Sequence, residues 1–388
     1  MDASPTVAGT LPADAASATL VGRAWLPGTR GGPAVVAVRN GSLLDLSAVA
    51  STMSALLDLP DPAAAVRAAP PRPVGSLAEA LANPHTPGML HLLAPCDLQP
   101  VKAAGVTFAE SLLERVIEEQ ARGDPALAEG IRRQVAQAVG GDLARMKPGS
   151  AEAMRLKELL VAKGLWSQYL EVGIGPDAEI FTKAAPMSSV GTGADIGLHP
   201  ASTWNNPEPE VVLAVDSAGR IRGATLGNDV NLRDFEGRSA LLLGRSKDNN
   251  GSCAIGPFIR LFDAGYGLGD LREAVVRLEV RGDDGFVLEG ESSMARISRD
   301  PLELVTQAMG ENHQHPDGLM LFCGTMFAPV MDRDAPGAGF THHPGDRVTI
   351  SNGRLGALVN RVGRSDRIAP WTFGIRALMD SLAARGLR

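Results

Sequence analysis

The sequence predicts an α+β protein in two parts, a small N-terminal α+β domain at residues 1–94 and a strand-dominated domain at residues 95–388. Three observations support this prediction. The 388 residues exceed the usual size of one domain. The segment Pro70-Pro71-Arg72-Pro73 interrupts regular structure, because proline fixes φ and lacks an N–H donor. Beyond Gly164, apolar residues recur with the period of two that is typical of strands.

The N-terminal part begins with residues 1–19, which are rich in Ala, Thr and Pro and are predicted to be a partly disordered tail. The rest of this part contains no residue that stands out as a candidate for chemistry. Short strands are predicted at residues 19–25, 34–38 and 41–46. Short helices are predicted at residues 51–57, 62–69 and 76–82.

The second part is predicted to open with two strands, at residues 90–95 and 101–108. An amphipathic helix follows at residues 108–122, because Leu112 and Val116 lie one turn apart on one apolar stripe. Further helices are predicted at residues 125–139, 150–163, 301–310 and 373–387. Strands are predicted at residues 169–172, 179–183, 210–215, 221–227, 275–280, 286–289, 319–323, 347–351 and 358–362.

The composition excludes several classes of function. Hydrophobic residues make up 44% of the chain and charged residues 21%, as in ordinary globular proteins. Aromatic residues make up only 4%, and the formal net charge is −7, which argues against a surface for nucleic acid or for an anionic membrane. No apolar run approaches the ~18 residues of a membrane span. The expected partner is therefore a small molecule, with no nucleic acid and no membrane.

The cysteines and histidines indicate neither a disulfide framework nor a zinc site. Cys96, Cys253 and Cys323 are far apart and odd in number. The histidines lack the H-E-x-x-H spacing of a zinc enzyme. Residues 1–16 contain neither a basic nor an apolar segment, so no signal peptide is visible. Three buried thiols in a reducing cytoplasm are the expected outcome.

Glu208 and Glu210 lie on one face of a predicted strand, because side chains alternate along a strand, and Asp229 follows after a turn. Carboxylates this close repel one another unless a cation or a proton lies between them. Oxygen ligands suit a hard divalent ion, Mg²⁺ before Ca²⁺ or Mn²⁺. A solvated strand face is the alternative. The apolar run at residues 211–215 favours an interior strand and therefore a metal site.

Lys247 and Arg233 are further candidates, each with two interpretations. Lys247 precedes the apolar segment 253–258, where a lysine can neutralise a substrate carboxylate or an enolate. Composition alone favours a surface lysine in a polar loop. Arg233 is either a bidentate ligand of a substrate carboxylate or a structural ion-pair partner of Asp234 or Glu236.

These residues belong to a pattern that resembles the fumarylacetoacetate hydrolase superfamily over residues 95–362. The shared motifs are Ile180-Phe181-Thr182-Lys183, Glu208-x-Glu210, Gly227-Asn228-Asp229-Val230, Arg233-Asp234, Lys247, Gly256-Pro257, Gly324-Thr325 and Pro344-Gly345-Asp346-Arg347-Val348. Within the superfamily, the chain is most similar to the dehydratases of 2-keto-3-deoxy-D-pentonates, the acids derived from xylonate and arabinonate. That similarity rests on residues 166–172, 204–210, 233–239, 246–250 and 370–374.

The resemblance implies a catalytic domain built as a mixed β-roll or barrel with helical insertions. It implies that Glu208, Glu210 and Asp229 bind Mg²⁺, with Mn²⁺ as the alternative, and that Lys247 lies beside the substrate. A homo-oligomer, either a dimer or a tetramer, and a cytoplasmic location are expected.

One departure from the superfamily pattern bears on the reaction. Many of its hydrolases carry N-Y-x-x-H-x-x-E, in which the His and the Glu activate water. Here Ser111 replaces the histidine, and Glu114 keeps the acid. The resemblance therefore implies dehydration of a 2-keto-3-deoxy-D-pentonate to 2,5-dioxopentanoate in non-phosphorylative pentose breakdown. The alternatives are a metal-dependent C–C hydrolase of 2,4-diketo-3-deoxy acids and a non-catalytic sugar-acid-binding protein.

The same hypothesis assigns roles to individual side chains. Glu114 and Glu179 are candidate proton shuttles, and Lys247 is the cationic partner of the enolate. Each carboxylate has a structural alternative: Glu114 and Glu118 lie one helical turn apart and suit a solvated face, and Glu179 suits a strand end at the surface. The candidate substrate ligands are Ser111, His199, Arg233 and Thr325.

Overall fold

Two sheets dominate the chain, and both are built on the period-two apolar pattern of the sequence. The computed structural model describes residues 5–28, 31–83, 88–128, 130–131, 146–162, 166–327 and 329–387. The predicted helix at residues 125–139 extends beyond these described residues. The strand-dominated α+β class is confirmed.

The strands, in chain order, are β1 (Leu20–Leu26), β2 (Gly32–Arg39), β3 (Ser42–Asp45), β4 (Pro73–Ser76), β5 (His91–Leu93), β6 (Val101–Ala104), β7 (Ile180–Ala184), β8 (Asp195–Leu198), β9 (Asn205–Asn206), β10 (Pro209–Val215), β11 (Ile221–Asp229), β12 (Asn231–Leu232), β13 (Cys253–Leu261), β14 (Val275–Arg281), β15 (Val287–Ser293), β16 (Leu319–Phe322), β17 (Arg347–Asn352) and β18 (Gly356–Arg364). The larger sheet has eleven strands, in the order β4–β3–β2–β1–β13–β11–β10–β16–β6–β7, with β5 also paired to β1. The smaller sheet has the order β15–β14–β17–β18–β8, and β9 pairs with β12. The described pairings of the larger sheet therefore follow a path with two ends, at β4 and β7.

The helices are α1 (Val7–Thr10), α2 (Met53–Leu57), α3 (Pro62–Ala68), α4 (Leu77–Ala82), α5 (Ala109–Ala121), α6 (Ala151–Ala162), α7 (Gln168–Ile174), α8 (Arg233–Glu236), α9 (Leu243–Lys247), α10 (Leu268–Arg272), α11 (Pro301–Ala308) and α12 (Ile375–Ala384). Side-chain caps explain where several of them begin, because a polar side chain satisfies a backbone N–H of the first turn. Asp61 and Ser76, for example, accept N–H groups three residues ahead, at 2.8 and 3.0 Å.

Strand β10 is buried on both faces near the middle of the larger sheet, between β11 and β16. Val211 and Leu213 belong to the apolar cluster that also contains β14 side chains of the smaller sheet. Val212 and Ala214 belong to a second cluster, which contains side chains of α2. Because apolar groups cover both faces, a carboxylate at the start of this strand lies in the interior rather than on a wet surface.

The predicted division at residue 94 falls within a continuous sheet. Strand β1 pairs with β13, with Val21 opposite Ile259, so strands from both predicted parts share one ladder of hydrogen bonds. Separate folding of residues 1–94 and 95–388 stays a prediction. Strands of both parts therefore form one sheet.

The predicted disordered tail is wrong for the described residues 5–19. Helix α1 lies there, and the Ala13 N–H donates to the Gly353 carbonyl at 3.0 Å. The carboxylate of Asp14 pairs with both terminal nitrogens of Arg260, at 2.6 and 2.7 Å. Small polar residues suggested disorder, but Asp14 forms an ion pair with the buried Arg260 of β13, which holds this segment against the sheet.

Replacing Asp14 with asparagine is expected to lower the free energy of unfolding by about 2 kcal/mol, because the buried Arg260 loses its counterion. The expected loss lies below that of a fully buried pair, since the Asp14 side chain is 33% exposed. Chemical denaturation measures the change. Asp283→Asn is the matched control, because its side chain is 84% exposed, and its effect is expected to stay within about 0.5 kcal/mol. An equal loss in both variants would contradict the role given to Asp14.

The predicted strand at residues 169–172 is also wrong, because helix α7 lies there. The Ser167 hydroxyl caps this helix by accepting the Tyr169 N–H at 3.1 Å. Tyr169, Leu170 and Ile174 are buried, which is the pattern of a helix face rather than of alternating strand faces. A short apolar run does not distinguish the two periods by itself.

None of the helices that the structure describes is long and apolar enough to cross a membrane. Cys96, Cys253 and Cys323 are free and buried, which confirms the prediction of three buried thiols. Burial raises the pKa of the Cys253 thiol to about 12, so this cysteine is a neutral packing group.

Candidate metal centre

The hairpin of β10 and β11 brings Glu208 and Glu210 to Asp229. Gly219, with φ +77, lies in the turn between the two strands. Beyond the turn, Glu210 pairs with Gly227, and the Asp229 N–H donates to the Glu208 carbonyl at 3.1 Å. The backbone pairing thus determines the spacing of the three acids along the sequence.

The three carboxylates form one compact, buried group. Oxygens taken one from each of Glu208, Glu210 and Asp229 lie within 4.8 Å of one another. The three residues are 0%, 1% and 1% exposed, so the alternative of a solvated strand face is excluded. Oxygens at this separation can share one hard divalent cation.

The electrostatics of Glu210 and Glu208 differ. Burial, together with the charges of Asp229 and Glu208, raises the pKa of Glu210 well above its usual value. Burial acts in the same direction on Glu208, but the charges of Arg115 and Lys247 outweigh it and lower the pKa of Glu208 to about 2. The surroundings of Glu210 therefore disfavour its charged form, and a divalent cation bound there would favour it.

Lys247, at the end of α9, lies against the acids. Its Nζ is 2.5 Å from Glu208 Oε2, 3.4 Å from Asp229 Oδ2 and 3.9 Å from Glu236 Oε2. Burial alone would lower the pKa of this ammonium, but the carboxylates raise it above its ordinary value, so it stays charged. Lys247 is 2% exposed, and the interpretation as a surface lysine is wrong.

Lys183 of β7 supports Asp229 from the other side. Its Nζ lies 2.7 Å from Asp229 Oδ1 and donates to the Val230 carbonyl at 3.1 Å and to the Lys247 carbonyl. Lys183 therefore holds the end of β11 and the end of α9 together.

Helix α5 presents a charged face to the same centre. Arg115 pairs with Glu208 Oε1, and its Nη1 lies 2.6 Å from Glu118 Oε2 and 3.1 Å from Glu236 Oε2. Glu118 Oε1 in turn accepts from Arg233 Nε at 2.6 Å. Because residues one helical turn apart share a face, this single helix contributes both signs of charge.

Arg233 is enclosed by groups of the protein. Besides Glu118, it donates from Nη2 to Glu114 Oε2 at 3.0 Å and from Nη1 to the Pro329 carbonyl at 3.2 Å. Its guanidinium lies 4.6 Å from the centre of the Trp204 ring. The ion pairs suggested by the sequence, with Asp234 or Glu236, are not the ones formed in the described part of the chain. The expected solvated face of Glu114 and Glu118 is wrong as well, because both carboxylates pair with Arg233 and their side chains are only 13% and 1% exposed.

The balance of charge fits a divalent cation. Among the described residues of this connected centre, carboxyl groups outnumber cationic side chains, seven to four. The carboxyl groups are Glu114, Glu118, Glu179, Glu208, Glu210, Asp229 and Glu236, and the cations are Arg115, Lys183, Arg233 and Lys247. Buried negative charge in excess must take up protons or a cation. The donor set is all oxygen, which suits Mg²⁺.

Glu179 lies immediately before β7, and its carboxylate packs over Gly105, where a Cβ atom would collide with it. Its backbone carbonyl accepts the Gly105 N–H at 3.1 Å. Burial and the charge of Glu236 raise the pKa of Glu179 to about 7, with Arg115 and Lys247 acting in the opposite direction. Although the residue as a whole is half-buried, its carboxyl group senses the charges of the metal centre.

The remaining predicted ligands lie at different distances from the acids. Thr325 Oγ1 donates to Glu210 Oε1 at 3.3 Å, beside the Gly324 N–H, which donates to Glu210 Oε2 at 2.7 Å. Ser111 is buried on α5, and its hydroxyl donates to the Phe108 carbonyl at 2.9 Å. Thr325 thus belongs to the centre, and Ser111 lies on the helix that carries its charged face.

His199 lies beside Phe235 and Arg245 rather than against the acids. Its ring packs edge-on to Phe235 at 5.4 Å, and its Nε2 is 3.4 Å from Arg245 Nη2. The Ala201 N–H lies 3.2 Å from Nδ1. The structure therefore places His199 next to Phe235 of helix α8.

Sequence reasoning missed four charged residues of this centre. Arg115, Glu118 and Glu236 lie on α5 and α8, and Lys183 lies within β7. A lysine inside an otherwise apolar strand is a signal in the sequence, because an uncompensated buried ammonium is costly. For α5, the repeated charges at Glu114, Arg115 and Glu118 were a weaker signal.

A large cavity in the described part of the chain lies elsewhere. Its volume is about 1130 Å³, and Trp25, His91 and Phe373 are among its lining residues. None of the residues of the metal centre lines it. The chemistry is therefore assigned from the buried polar groups rather than from the size of a pocket.

Comparison of sequences identifies relatives that match about half of the chain. The 2-dehydro-3-deoxy-D-arabinonate dehydratase of Saccharolobus solfataricus is 32% identical over 190 residues, which are 49% of this chain and 60% of that protein. A probable 2-keto-3-deoxyxylonate dehydratase of Haloferax volcanii is 29% identical over 194 residues, which are 50% of this chain and 63% of that protein. The match thus spans about three fifths of the length of these curated relatives.

Comparison of structures extends the likeness to most of the chain. The apo form of a 2-keto-3-deoxy-D-arabinonate dehydratase has a TM-score of 0.61 at 22% identity, covering 89% of this chain and 99% of that one. At this identity, the likeness establishes a shared fold. Residues 175–363 match the family model for the C-terminal domain of fumarylacetoacetate (FAA) hydrolase. Over residues 175–363, just under half of its length, the chain is therefore similar to the fumarylacetoacetate hydrolase family.

Proposed function

We propose that this protein is a Mg²⁺-dependent hydro-lyase that dehydrates a 2-keto-3-deoxy-D-pentonate to 2,5-dioxopentanoate. The observation that carries the proposal is the buried triad of Glu208, Glu210 and Asp229, with Lys247 held 2.5 Å from Glu208. The names of the relatives support the substrate class, since the matched proteins are dehydratases of this type of acid. A solved structure with the same fold is described as a complex with magnesium and 2,5-dioxopentanoate.

Glu208, Glu210 and Asp229 would hold the cation, with Mn²⁺ as the alternative to Mg²⁺. When bound, the cation polarises the keto group and thereby acidifies the protons at C3. Lys247 stabilises the negative charge that develops at the keto oxygen when a C3 proton leaves. Its partners Glu208 and Asp229 fix the ammonium in advance of the reaction, so no reorganisation is required.

Glu179 is proposed to accept the C3 proton, and the C4 hydroxyl leaves as water after receiving a proton. Glu114, held by Arg233 at 3.0 Å, is the candidate donor of that proton. Tautomerisation through the C5 hydroxyl then gives the aldehyde. Thr325, Ser111, His199 and Arg233 stay predictions as substrate ligands, and among them Thr325 has direct contact with the triad.

Position 111 supports dehydration over hydrolysis. A serine whose hydroxyl donates to the Phe108 carbonyl is a poor base for water activation, because its proton is held and its pKa is far above neutrality. Elimination of water requires proton transfers but no attacking water. The site thus offers groups for elimination and lacks, at position 111, the base that hydrolysis would use.

The test is a single assay with several outcomes. The protein is incubated with Mg²⁺ and 2-keto-3-deoxy-D-xylonate, and the products are separated by chromatography. Formation of 2,5-dioxopentanoate that ceases with EDTA is the expected result. C–C cleavage products would identify a hydrolase, and binding of the acid without turnover would identify a sugar-acid-binding protein.

Glu179→Gln is expected to lower kcat by about a hundredfold or more, which is the usual contribution of a general base. In the parent, kcat/KM is expected to fall as the pH drops below about 7, because protonated Glu179 cannot accept the C3 proton. That acid limb is expected to be absent from the residual activity of the variant. Rates of both proteins between about pH 5 and 9 provide the measurement.

Glu171→Gln is the control for this variant, because Glu171 is 43% exposed and pairs with Lys157 away from the triad. It is expected to keep the parental rate and profile. An acid limb that persists unchanged in Glu179→Gln would assign the titration to another group.

We also infer a cytoplasmic homo-oligomer. Three free, buried cysteines support the reducing compartment. Ile375 and Met379, one turn apart on α12, and Trp371, which precedes that helix, are 43%, 64% and 48% exposed, which supports an apolar contact between copies. Light scattering after gel filtration tests the oligomeric state.

A further inference from the structure

Both carboxylate oxygens of Glu208 are occupied by cations of the protein itself. Lys247 Nζ lies 2.5 Å from Oε2, and Arg115 Nη2 pairs with Oε1. Arg115 is buried, as is Glu208. A divalent cation that uses Glu208 as a ligand therefore meets the positive charges of these two side chains, which oppose its binding.

Of the two cations that contact Glu208, Arg115 loses less free energy than Lys247 when it separates from that carboxylate. Its Nη1 keeps Glu118 at 2.6 Å and Glu236 at 3.1 Å when Nη2 leaves Glu208. Lys247 has no comparable second anchor, since its other contacts, to Asp229 and Glu236, are 3.4 and 3.9 Å long. Release of Arg115 thus frees one N–H edge of the guanidinium while the rest of the group stays in place.

A freed guanidinium edge in this centre suits one particular ligand. When a 2-oxo acid chelates a cation through its keto oxygen and one carboxylate oxygen, the second carboxylate oxygen still requires a donor. Lys183 is committed to Asp229 and two backbone carbonyls, and Arg233 is committed to Glu114, Glu118 and a backbone carbonyl. Among the cations of the described centre, Arg115 has the planar donor edge that matches a carboxylate.

We propose that Arg115 is an exchangeable counterion: it neutralises Glu208 while the centre lacks a metal ion, and it binds the carboxylate of the 2-oxo acid once a divalent cation has taken Glu208. The inference rests on the proposed function for the class of ligand. It makes metal binding and substrate binding interdependent through one side chain, because the metal releases the donor that the substrate requires.

The test is a pair of titrations on the Arg115→Met variant by calorimetry, first with Mg²⁺ alone and then with pyruvate on the Mg²⁺-saturated protein. Mg²⁺ is expected to bind at least about tenfold more tightly than to the parent, because a competing cation is gone. Pyruvate is expected to bind at least about tenfold more weakly, because a charged hydrogen-bond partner is lost. A purely structural role would weaken both.

Arg122→Met, exposed at the end of the same helix, is the control and is expected to change neither affinity. Equal or weaker Mg²⁺ binding by a folded Arg115→Met variant, or unchanged pyruvate binding, would overturn the exchange. If that variant does not fold, the double variant Arg115→Met/Glu118→Gln, which removes one charge of each sign, decides by the same criteria. Failure of the dehydratase assay would refute the proposed reaction and leave both titrations informative.

Discussion

Replacing Glu210 with glutamine is expected to abolish Mg²⁺ binding and turnover while leaving the metal-free protein at least as stable as the parent. Burial and the neighbouring charges of Asp229 and Glu208 raise the pKa of Glu210 well above its usual value. A neutral amide therefore resembles the form that the metal-free site prefers. Its oxygen can still accept the Gly324 N–H, which donates to Glu210 Oε2 at 2.7 Å in the parent.

The advantage of the glutamine is expected to grow with pH. A carboxyl group whose folded pKa is raised contributes most to stability below its unfolded pKa, near 4.5, and loses that contribution as the pH rises through the folded pKa. Glutamine does not titrate. Melting temperatures in EDTA at several pH values above neutrality therefore measure the predicted difference directly.

Glu208→Gln is the matched variant, because it also removes a carboxylate of the triad but leaves Arg115 and Lys247 without a charged partner. It is expected to lose metal binding and, in addition, about 2 kcal/mol of stability. Calorimetric Mg²⁺ titration and formation of 2,5-dioxopentanoate measure the functional loss. Undiminished Mg²⁺ binding by either variant would refute the metal centre, and equal destabilisation of both would refute the account of Glu210.

The triad was predictable from the sequence because its geometry is local to one hairpin. The two-residue spacing of Glu208 and Glu210 and the position of Asp229 after the turn define their relation before any tertiary contact is known. The apolar run behind them indicated burial, and the structure buries all three. Predictions of this kind succeed where the backbone pairing alone determines the distance between side chains.

Arg115 was not predictable in the same way, since its partner Glu208 lies 93 residues away in the sequence. The apolar stripe of α5 correctly predicted a helix, but periodicity describes only the face that packs on apolar neighbours. It does not show whether the opposite face meets water or a buried centre of charge. The solvated face expected for Glu114 and Glu118 failed for this reason.

The N-terminal part shows a similar limit. Strands β1, β2 and β3 were located within a few residues, because their apolar runs are clear, whereas β4 was not predicted. The pairing of β1 with β13, which places Leu20 opposite Arg260, joins segments that no local pattern connects. Asp14 was likewise assigned to a tail because its partner Arg260 is distant in the sequence.

Replacing Lys247 with methionine is expected to lower kcat by about a thousandfold, within the range for removal of one preorganised electrostatic group. The free energy of unfolding is expected to change less, because Glu208 keeps Arg115 and Asp229 keeps Lys183. Mg²⁺ is expected to bind at least as tightly, since a nearby positive charge is removed. Rates with saturating Mg²⁺ and calorimetric titration provide the measurements.

Lys183→Met is expected to lower the free energy of unfolding more than it lowers kcat, which is the opposite of the result expected for Lys247→Met. Lys183 is completely buried and serves Asp229 and the carbonyls of Val230 and Lys247, so its loss leaves several polar groups unsatisfied and costs about 3–5 kcal/mol. Lys157→Met, 32% exposed, is the control for both variants. If Lys247→Met were the less stable protein and Lys183→Met the slower enzyme, the two lysines would have exchanged roles. In that case Lys183 would be the group that stabilises charge on the substrate.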